Sequence, residues 1–334
     1  MNAKDAPPRT TRVVVVTGSL GCGKTAFINH QLRQPSGARA IVVKGIAGRP
    51  TVAERIAGAW RVVSLPMDEG IEEHGFAARL AQELARLVAE RGGAGPVFVE
   101  MHGLTDAQPV VQGLYGASDW LDDTGVATVT VVDARRSRLP PGCADVLQRN
   151  LLAADLFVLN KCDCVPPSDV RDGRDWLANI NPHTPCVESI DGRVDASLLR
   201  ALSPVRGAAV PRPDRRPDSQ VDDVYVHGHR HVDSFAFHRW LSALYDRYGA
   251  NLLRIKGEIA LWGQPHPVAV EVVGRAVQVL PLDTVPREEG FSELTVIGRH
   301  LDAEDVLGGF RNCLREAWEG THEGHGTCHL HGCR

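Results

Sequence analysis

The sequence predicts an α/β protein, a doubly wound parallel sheet followed by a second, smaller α+β domain. Three observations carry that prediction. A run of β-branched residues, Val13-Val14-Val15-Val16, leads through a glycine-rich turn into a segment able to continue as a helix. Further on, Val97-Phe98-Val99, residues 126–132 and Leu156-Phe157-Val158-Leu159 are apolar runs that end in Glu100, Asp133 and Asn160. Such repetition is expected of an open parallel sheet whose ligand site lies at the carboxyl ends of its strands. At Ser203-Pro204 the composition turns Pro/Arg-rich and loses its periodicity through Pro217, which reads as an interdomain linker.

The totals agree with two domains. A chain of 334 residues is long for one core. Its net charge of −4, with no basic block, argues against nucleic acid as a partner. No apolar run approaches the ~20 residues that span a bilayer, and residues 1–11 lack a signal-peptide core, so a cytoplasmic location and no membrane partner are expected. Eight scattered cysteines then suggest thiols or metal ligands rather than a disulfide framework.

Taken in order, the strand at 13–16 is followed by a helix over 26–32 and a second strand over 39–43. Residues 44–50 read as a loop by their glycines and proline, and 61–65 as a weaker third strand. Phe76, Leu80, Leu84, Leu87 and Val88 share one face at helical spacing, so 76–90 is an amphipathic helix packed on the sheet, ended by Gly92-Gly93. After the linker, 234–248 has a helical core pattern, 252–261, 268–280 and 294–297 are strand-like, and 302–318 reads as a helix capped by Asp302. The expected organisation is thus residues 1–202, a linker over 203–220, a second domain over 221–319, and a tail over 320–334 with no core pattern.

Gly18-Ser19-Leu20-Gly21-Cys22-Gly23-Lys24-Thr25 fits the phosphate-binding loop G-x-x-x-x-G-K-[ST] at every specified position, which makes the sheet a P-loop NTPase fold. Backbone N–H groups at a helix N-terminus wrap phosphate oxygens in conformations that a β-carbon obstructs. Lys24 would reach the outer phosphates and the Thr25 hydroxyl would ligate Mg2+. Cys22, at a helix start, is a small residue that fits the loop; the alternative is a redox switch with a lowered thiol pKa. Glu100, at a strand end, is placed to hold Mg2+ directly or through water. The Gly103 N–H is placed to sense the γ-phosphate, and His102 beside it either orients water or only lines the site.

Asn160-Lys161-Cys162-Asp163 fits N-K-x-D, in which the carboxylate accepts from the guanine ring N–H and amino group, donors that adenine does not present together. It selects GTP and GDP over ATP.

These segments, together with residues 100–110 and Val131-Val132-Asp133-Ala134, resemble in order and spacing the CobW-type P-loop GTPases, a family that includes nitrile hydratase activators and zinc metallochaperones. The second half resembles that family's second domain through Arg254-Ile255-Lys256-Gly257 and the run 294–301 followed by a helix. The resemblance implies a GTP-binding protein with slow hydrolysis that delivers a metal to, or activates, a metalloprotein client. The alternative is a nucleotide-gated assembly protein that carries no metal. Neither the client nor the oligomeric state is named by the sequence.

Two departures from the family stand out. Its C-x-C-C metal motif is absent from residues 64–70, where Asp68 and Glu69, with Glu72, Glu73 and His74, read better as an acidic helix start than as ligands. Its acid after the second strand is replaced by Lys44-Gly45, which bears on Mg2+ coordination and hydrolysis. Two candidate sites for zinc, cobalt or nickel remain. His227, His229 and His231 alternate, so an extended segment would put three imidazoles on one face. The tail holds His322, His325, Cys328, His329, His331 and Cys333.

Overall fold

A computed structural model describes residues 12–37, 39–47, 59–67, 73–92, 95–103, 105–116, 125–136, 144–202, 222–273, 276–282 and 290–315. The linker expected over 203–220 and the His/Cys tail over 320–334 lie outside these residues, as does Asp68-Glu69. Among the described residues no helix is long and apolar enough to cross a membrane.

Seven parallel strands form the first sheet: β1 (Val13–Thr17), β2 (Ile41–Ala47), β3 (Arg61–Met67), β4 (Val97–Glu100), β5 (Val126–Asp133), β6 (Leu156–Asn160) and β7 (Cys186–Ser189). Their order is β3-β2-β4-β1-β5-β6-β7. Helices α1 (Lys24–Leu32), α2 (Glu73–Arg91), α3 (Gln108–Gly116), α4 (Ala144–Leu152), α5 (Pro167–Ile180) and α6 (Ala196–Ala201) are interleaved with these strands. The period-two alternation of β1 explains the two apolar layers. Val13 and Val15 pack with Phe76, Leu80, Leu84 and Leu87 of α2 and Leu114 of α3, whereas Val14 and Val16 pack with Phe27, Ile28 and Leu32 of α1. Burial on both faces is why the strand is valine throughout.

The second strand is longer than its composition suggests. Residues 44–47, expected in a loop, continue β2 because β3 runs parallel beside them, pairing Lys44 with Ser64 through to Ala47 with Met67. The partner strand satisfies the backbone of Gly45, whose own propensity argues against a strand.

The second sheet is antiparallel: β8 (Asp222–Gly228), β9 (Leu252–Ile259), β10 (Val268–Val273), β11 (Ala276–Pro281) and β12 (Ser292–Gly298), in the order β11-β10-β9-β12-β8. Helices α7 (Ser234–Tyr248) and α8 (Ala303–Arg311) cover it through Phe237, Trp240, Leu244, Val306 and Phe310. Asp233 and Asp302 cap them, each accepting two backbone N–H groups of the first turn. Two expectations need correction here. The stretch 268–280 is a hairpin of two strands and not a single strand. The last helix stops at Arg311 instead of running to 318, because after Asn312 the chain turns and Leu314 bridges Val232.

The sheets meet through charge as well as apolar contact. Arg254 on β9 pairs with Glu271 on β10 and reaches Asp155 of the first sheet's α4–β6 turn at 2.6 Å, all three being buried. Asp155 also accepts from the Thr128 N–H of β5 at 2.8 Å. Gly257, three residues past Arg254, has φ 156°, and a β-carbon there would lie 2.1 Å from the Glu293 carbonyl oxygen. Only glycine fits that close strand approach.

Candidate nucleotide site

The carboxyl ends of β1, β4, β5 and β6 converge on the glycine-rich loop. Gly18, Gly21 and Gly23 all have positive φ, and a β-carbon on Gly23 would lie 2.2 Å from Asn160 Nδ2. The loop is therefore fixed by its own backbone and by its neighbours. Lys24 folds over it, donating to the Gly18 and Ser19 carbonyls at 2.9 Å each. Ser19 lies beside Leu20, which is 58% exposed and forms the outer rim. Cys22 is fully buried, and burial pushes its thiol above the ordinary value despite the nearby Lys24 and Lys161. Cys22 packs as a small core residue beneath the loop, and a buried thiol with a raised pKa is a poor nucleophile.

Thr25 Oγ1 donates to Glu100 Oε1 at 2.5 Å, which joins the two expected magnesium ligands. Glu100 is 8% exposed, and its Oε2 is buried without a hydrogen bond. A buried carboxylate oxygen left over beside a loop threonine is chemistry suited to a hard divalent cation, so these residues fit Mg2+. Magnesium bound there would neutralise phosphate charge. Lys44 stands directly across the strand pair from Glu100, with its ammonium 3.6 Å from Oε2. At that separation the ammonium and the carboxylate attract each other. Lys44 therefore competes with a metal for Glu100. Replacing Lys44 by Met is expected to tighten Mg2+ binding to the GDP complex by about tenfold, read by calorimetric titration of the ion.

Gly103 approaches the loop closely: a β-carbon on it would lie 2.6 Å from the Leu20 nitrogen. The segment after it is anchored from α4. Asn150 donates to the Thr105 carbonyl at 3.0 Å and accepts from the Ala107 N–H at 2.9 Å, while Arg149 pairs with Asp106 at 2.5 Å. His102 is half-buried; burial first, and then the charge of Lys24, hold its imidazole below the ordinary value. That direction favours the neutral imidazole, which can donate or accept a hydrogen bond beside the loop.

The N-K-x-D residues divide their labour. Asn160 donates to the Cys22 carbonyl and accepts from the Gly192 N–H, each at 2.9 Å. Lys161, in the left-handed region at φ 63°, donates to the Gly21 carbonyl and to Asp133 Oδ2 at 2.8 Å. Burial alone would raise the Asp133 carboxyl, but its hydrogen bonds with Arg135 and Lys161 outweigh that and hold it at about 2. The pair thus ties the carboxyl end of β6 to the glycine-rich loop. Asp163, in the short 3-10 turn Cys162–Cys164, is exposed. Sequence reasoning missed Asn150 and Gly192, and gave Asp133 only its place at a strand end.

The histidine triplet does not form as expected. His227 and His229 are exposed, with ring centres 6.2 Å apart, but His231 stands edge-on to Trp262 at 5.7 Å. Strand β8 stops at Gly228, opposite Ser292 where its partner β12 begins, so the alternation that would carry the third imidazole to the same face is broken. Among the described residues no three His, Cys, Asp or Glu side chains are grouped to hold a metal.

A family model for the CobW/HypB/UreG nucleotide-binding domain matches residues 12–188, more than half of the chain, and one for the cobalamin synthesis protein cobW C-terminal domain matches residues 221–314. Among curated relatives, the zinc chaperone CobW of Pseudomonas aeruginosa is 26% identical, over 90% of this chain and 91% of its own. The zinc chaperone YjiA of Escherichia coli is 24% identical, over 89% of this chain and 97% of its own. A crystal structure of Zn(II)-bound YjiA GTPase from E. coli has the same fold, with a TM-score of 0.62 at 21% identity, over 92% of this chain and 99% of that one. With a P-loop sheet and an antiparallel second sheet both accounted for, the chain belongs to the CobW/HypB/UreG family of nucleotide-binding proteins.

Proposed function

We propose that this protein is a GTP-binding metallochaperone with slow GTP hydrolysis, serving a metal-dependent client. The observation that carries the nucleotide half is the coupling of the base and phosphate ends: an exposed Asp163 stands beside Asn160 and Lys161, whose side chains are bonded to the carbonyls of Cys22 and Gly21. A guanine held by Asp163 is then in register with phosphates on the loop. Residues 18–25 hold the phosphates, Thr25 and Glu100 hold Mg2+, and Lys24 and the Gly103 N–H meet the outer phosphates. Slow hydrolysis is supported by Lys44, which places a cation against Glu100 where the family resemblance implies an acid. The metal half is supported by the zinc chaperones among the relatives and by the ligand-rich tail.

Coupled sites alter each other's affinity reciprocally. Zinc titrated into the protein in excess Mg-GTP and again in excess Mg-GDP is expected to bind with affinities differing by about tenfold or more, ~1.4 kcal/mol. Equal affinities would reject nucleotide-gated carriage. No tight binding in either state would leave an assembly protein that carries no metal.

A further inference from the structure

We propose that the groove at the end of β8 docks an acidic, extended segment of a partner protein, held by Arg230 and Arg311 over an apolar contact with Leu314. The inference deepens the client-serving half of the reading above and rests on it. The groove, of about 620 Å³, is lined by His229, Arg230, Arg311, Asn312 and Leu314. These residues come from two distant segments that the backbone joins. The Arg315 N–H donates to the His231 carbonyl at 2.9 Å, and the Asp233 N–H to the Cys313 carbonyl at 2.8 Å. Leu314 then packs on Gly228, where a β-carbon would lie 2.8 Å from its Cδ1. Gly290 closes on the Arg230 backbone, with room for a β-carbon only 3.3 Å from the Arg230 Cα. The groove is therefore formed before a ligand arrives, which lowers the ordering cost of binding.

Its charge is unmatched within the fold. The chain carries 41 acidic residues against 37 basic ones, and other exposed arginines find carboxylates, as Arg174 does in Glu188 and Arg247 in Asp305. Arg230 and Arg311 are exposed too, yet among the described residues neither guanidinium has an ion pair or hydrogen bond. Two such forks on one groove suit carboxylates, which each can take in bidentate fashion. The surface continues past the groove, so the ligand is longer than a small anion. From His229 a row of rings runs back along β8, to His227 at 6.2 Å and from there to Tyr225 at 5.6 Å, while Phe291 backs His229 at 5.2 Å. The same end of the domain exposes Trp262 and Phe235, at 57% and 70%. The Trp262 N–H donates to the Val232 carbonyl at 3.0 Å, and Arg315 stacks 4.8 Å from the Trp262 ring centre. Exposed aromatics and arginines gathered in one place are the composition of a protein interface. Nucleic acid fits less well, since a groove of two arginines on a chain of net charge −4 neutralises few phosphates.

Fluorescence anisotropy of the full chain with a short labelled peptide of glutamates around one leucine reads the docking directly. The expected result is saturable binding that weakens as salt is raised and is lost when glutamines replace the peptide's glutamates. Arg230→Gln/Arg311→Gln should weaken it at least tenfold. Arg33→Gln/Arg171→Gln removes the same charge from exposed positions after α1 and in α5, and should leave it unchanged. Arg230→Glu/Arg311→Glu should instead bind the lysine counterpart of the peptide. Equal losses in the two glutamine variants would overturn the groove in favour of overall charge. A labelled oligouridine bound as tightly through the same arginines would overturn the protein partner, and displacement of the peptide by equimolar inorganic phosphate would reduce the groove to a small-anion site. The zinc titrations in GTP and GDP need neither groove nor peptide. Nucleotide-dependent zinc binding without peptide binding sinks the groove alone, and peptide binding without tight zinc sinks metal carriage alone.

Discussion

Replacing Asp163 by Asn is expected to lower GTP affinity by about 10²–10⁴-fold while xanthosine triphosphate gains. Two hydrogen bonds from guanine to a carboxylate are worth ~1.5–3 kcal/mol each, and the substitution replaces one acceptor oxygen by a donor. Xanthine presents a carbonyl where guanine presents an amino group, so the new amide suits it. The position isolates recognition from architecture. Asp163 is exposed, and a surface change of this kind shifts stability by roughly 0.5 kcal/mol or less. Asn160 and Lys161 would make poor probes, since their loss frees the carbonyls of Cys22 and Gly21 and disturbs the phosphate loop itself. Competition between fluorescent GTP and xanthosine triphosphate, in wild type and variant, is the direct measurement. An unaltered preference would remove Asp163 from base recognition, and equal binding of ATP and GTP by the wild type would reject the guanine reading.

The parts of this site that were legible in the sequence are those encoded locally. A strand, a glycine turn and a helix in register need only neighbouring residues, so the phosphate loop from Gly18 to Thr25 was readable at once. The apolar runs ending in Glu100, Asp133 and Asn160 were readable for the same reason. What stayed hidden depends on contacts between distant segments. Gly192 shows no motif, yet its N–H orients Asn160, and a β-carbon on it would lie 2.3 Å from the Phe27 nitrogen of α1. Asn150 looks like any polar helix residue until α4 sets it against Thr105 and Ala107. Lys44 was visible as a departure, but only strand pairing places its ammonium against Glu100. The histidine triplet failed in the opposite way. Alternation in sequence promised a shared face, and the end of β12 withdrew the ladder that would have kept it.

Arg254 is the second residue whose loss should be large, and it acts on the union of the two sheets. Its guanidinium is buried, and the carboxylates of Asp155 and Glu271 raise its pKa against the opposing effect of burial, so it remains charged at any accessible pH. Replacing it by Ala strands two buried carboxylates, at a cost of about 3–5 kcal/mol. The expected result is a lower denaturant midpoint. A control separates this from a simple cavity: adding Asp155→Asn and Glu271→Gln to Arg254→Ala should recover part of the loss, because no unpaired charge is then left. Failure to recover would assign the cost to packing around Tyr115, whose buried hydroxyl donates to the Val126 carbonyl at 3.1 Å. The cluster spans Asp155, one residue before β6, and β9 of the second sheet, and β6 ends in Asn160 at the nucleotide. A milder variant, Arg254→Lys, should therefore loosen the joint while leaving each sheet folded, and reduce any zinc affinity difference between the GTP and GDP states. If that difference persists unchanged in Arg254→Lys, nucleotide state reaches the second domain by another route.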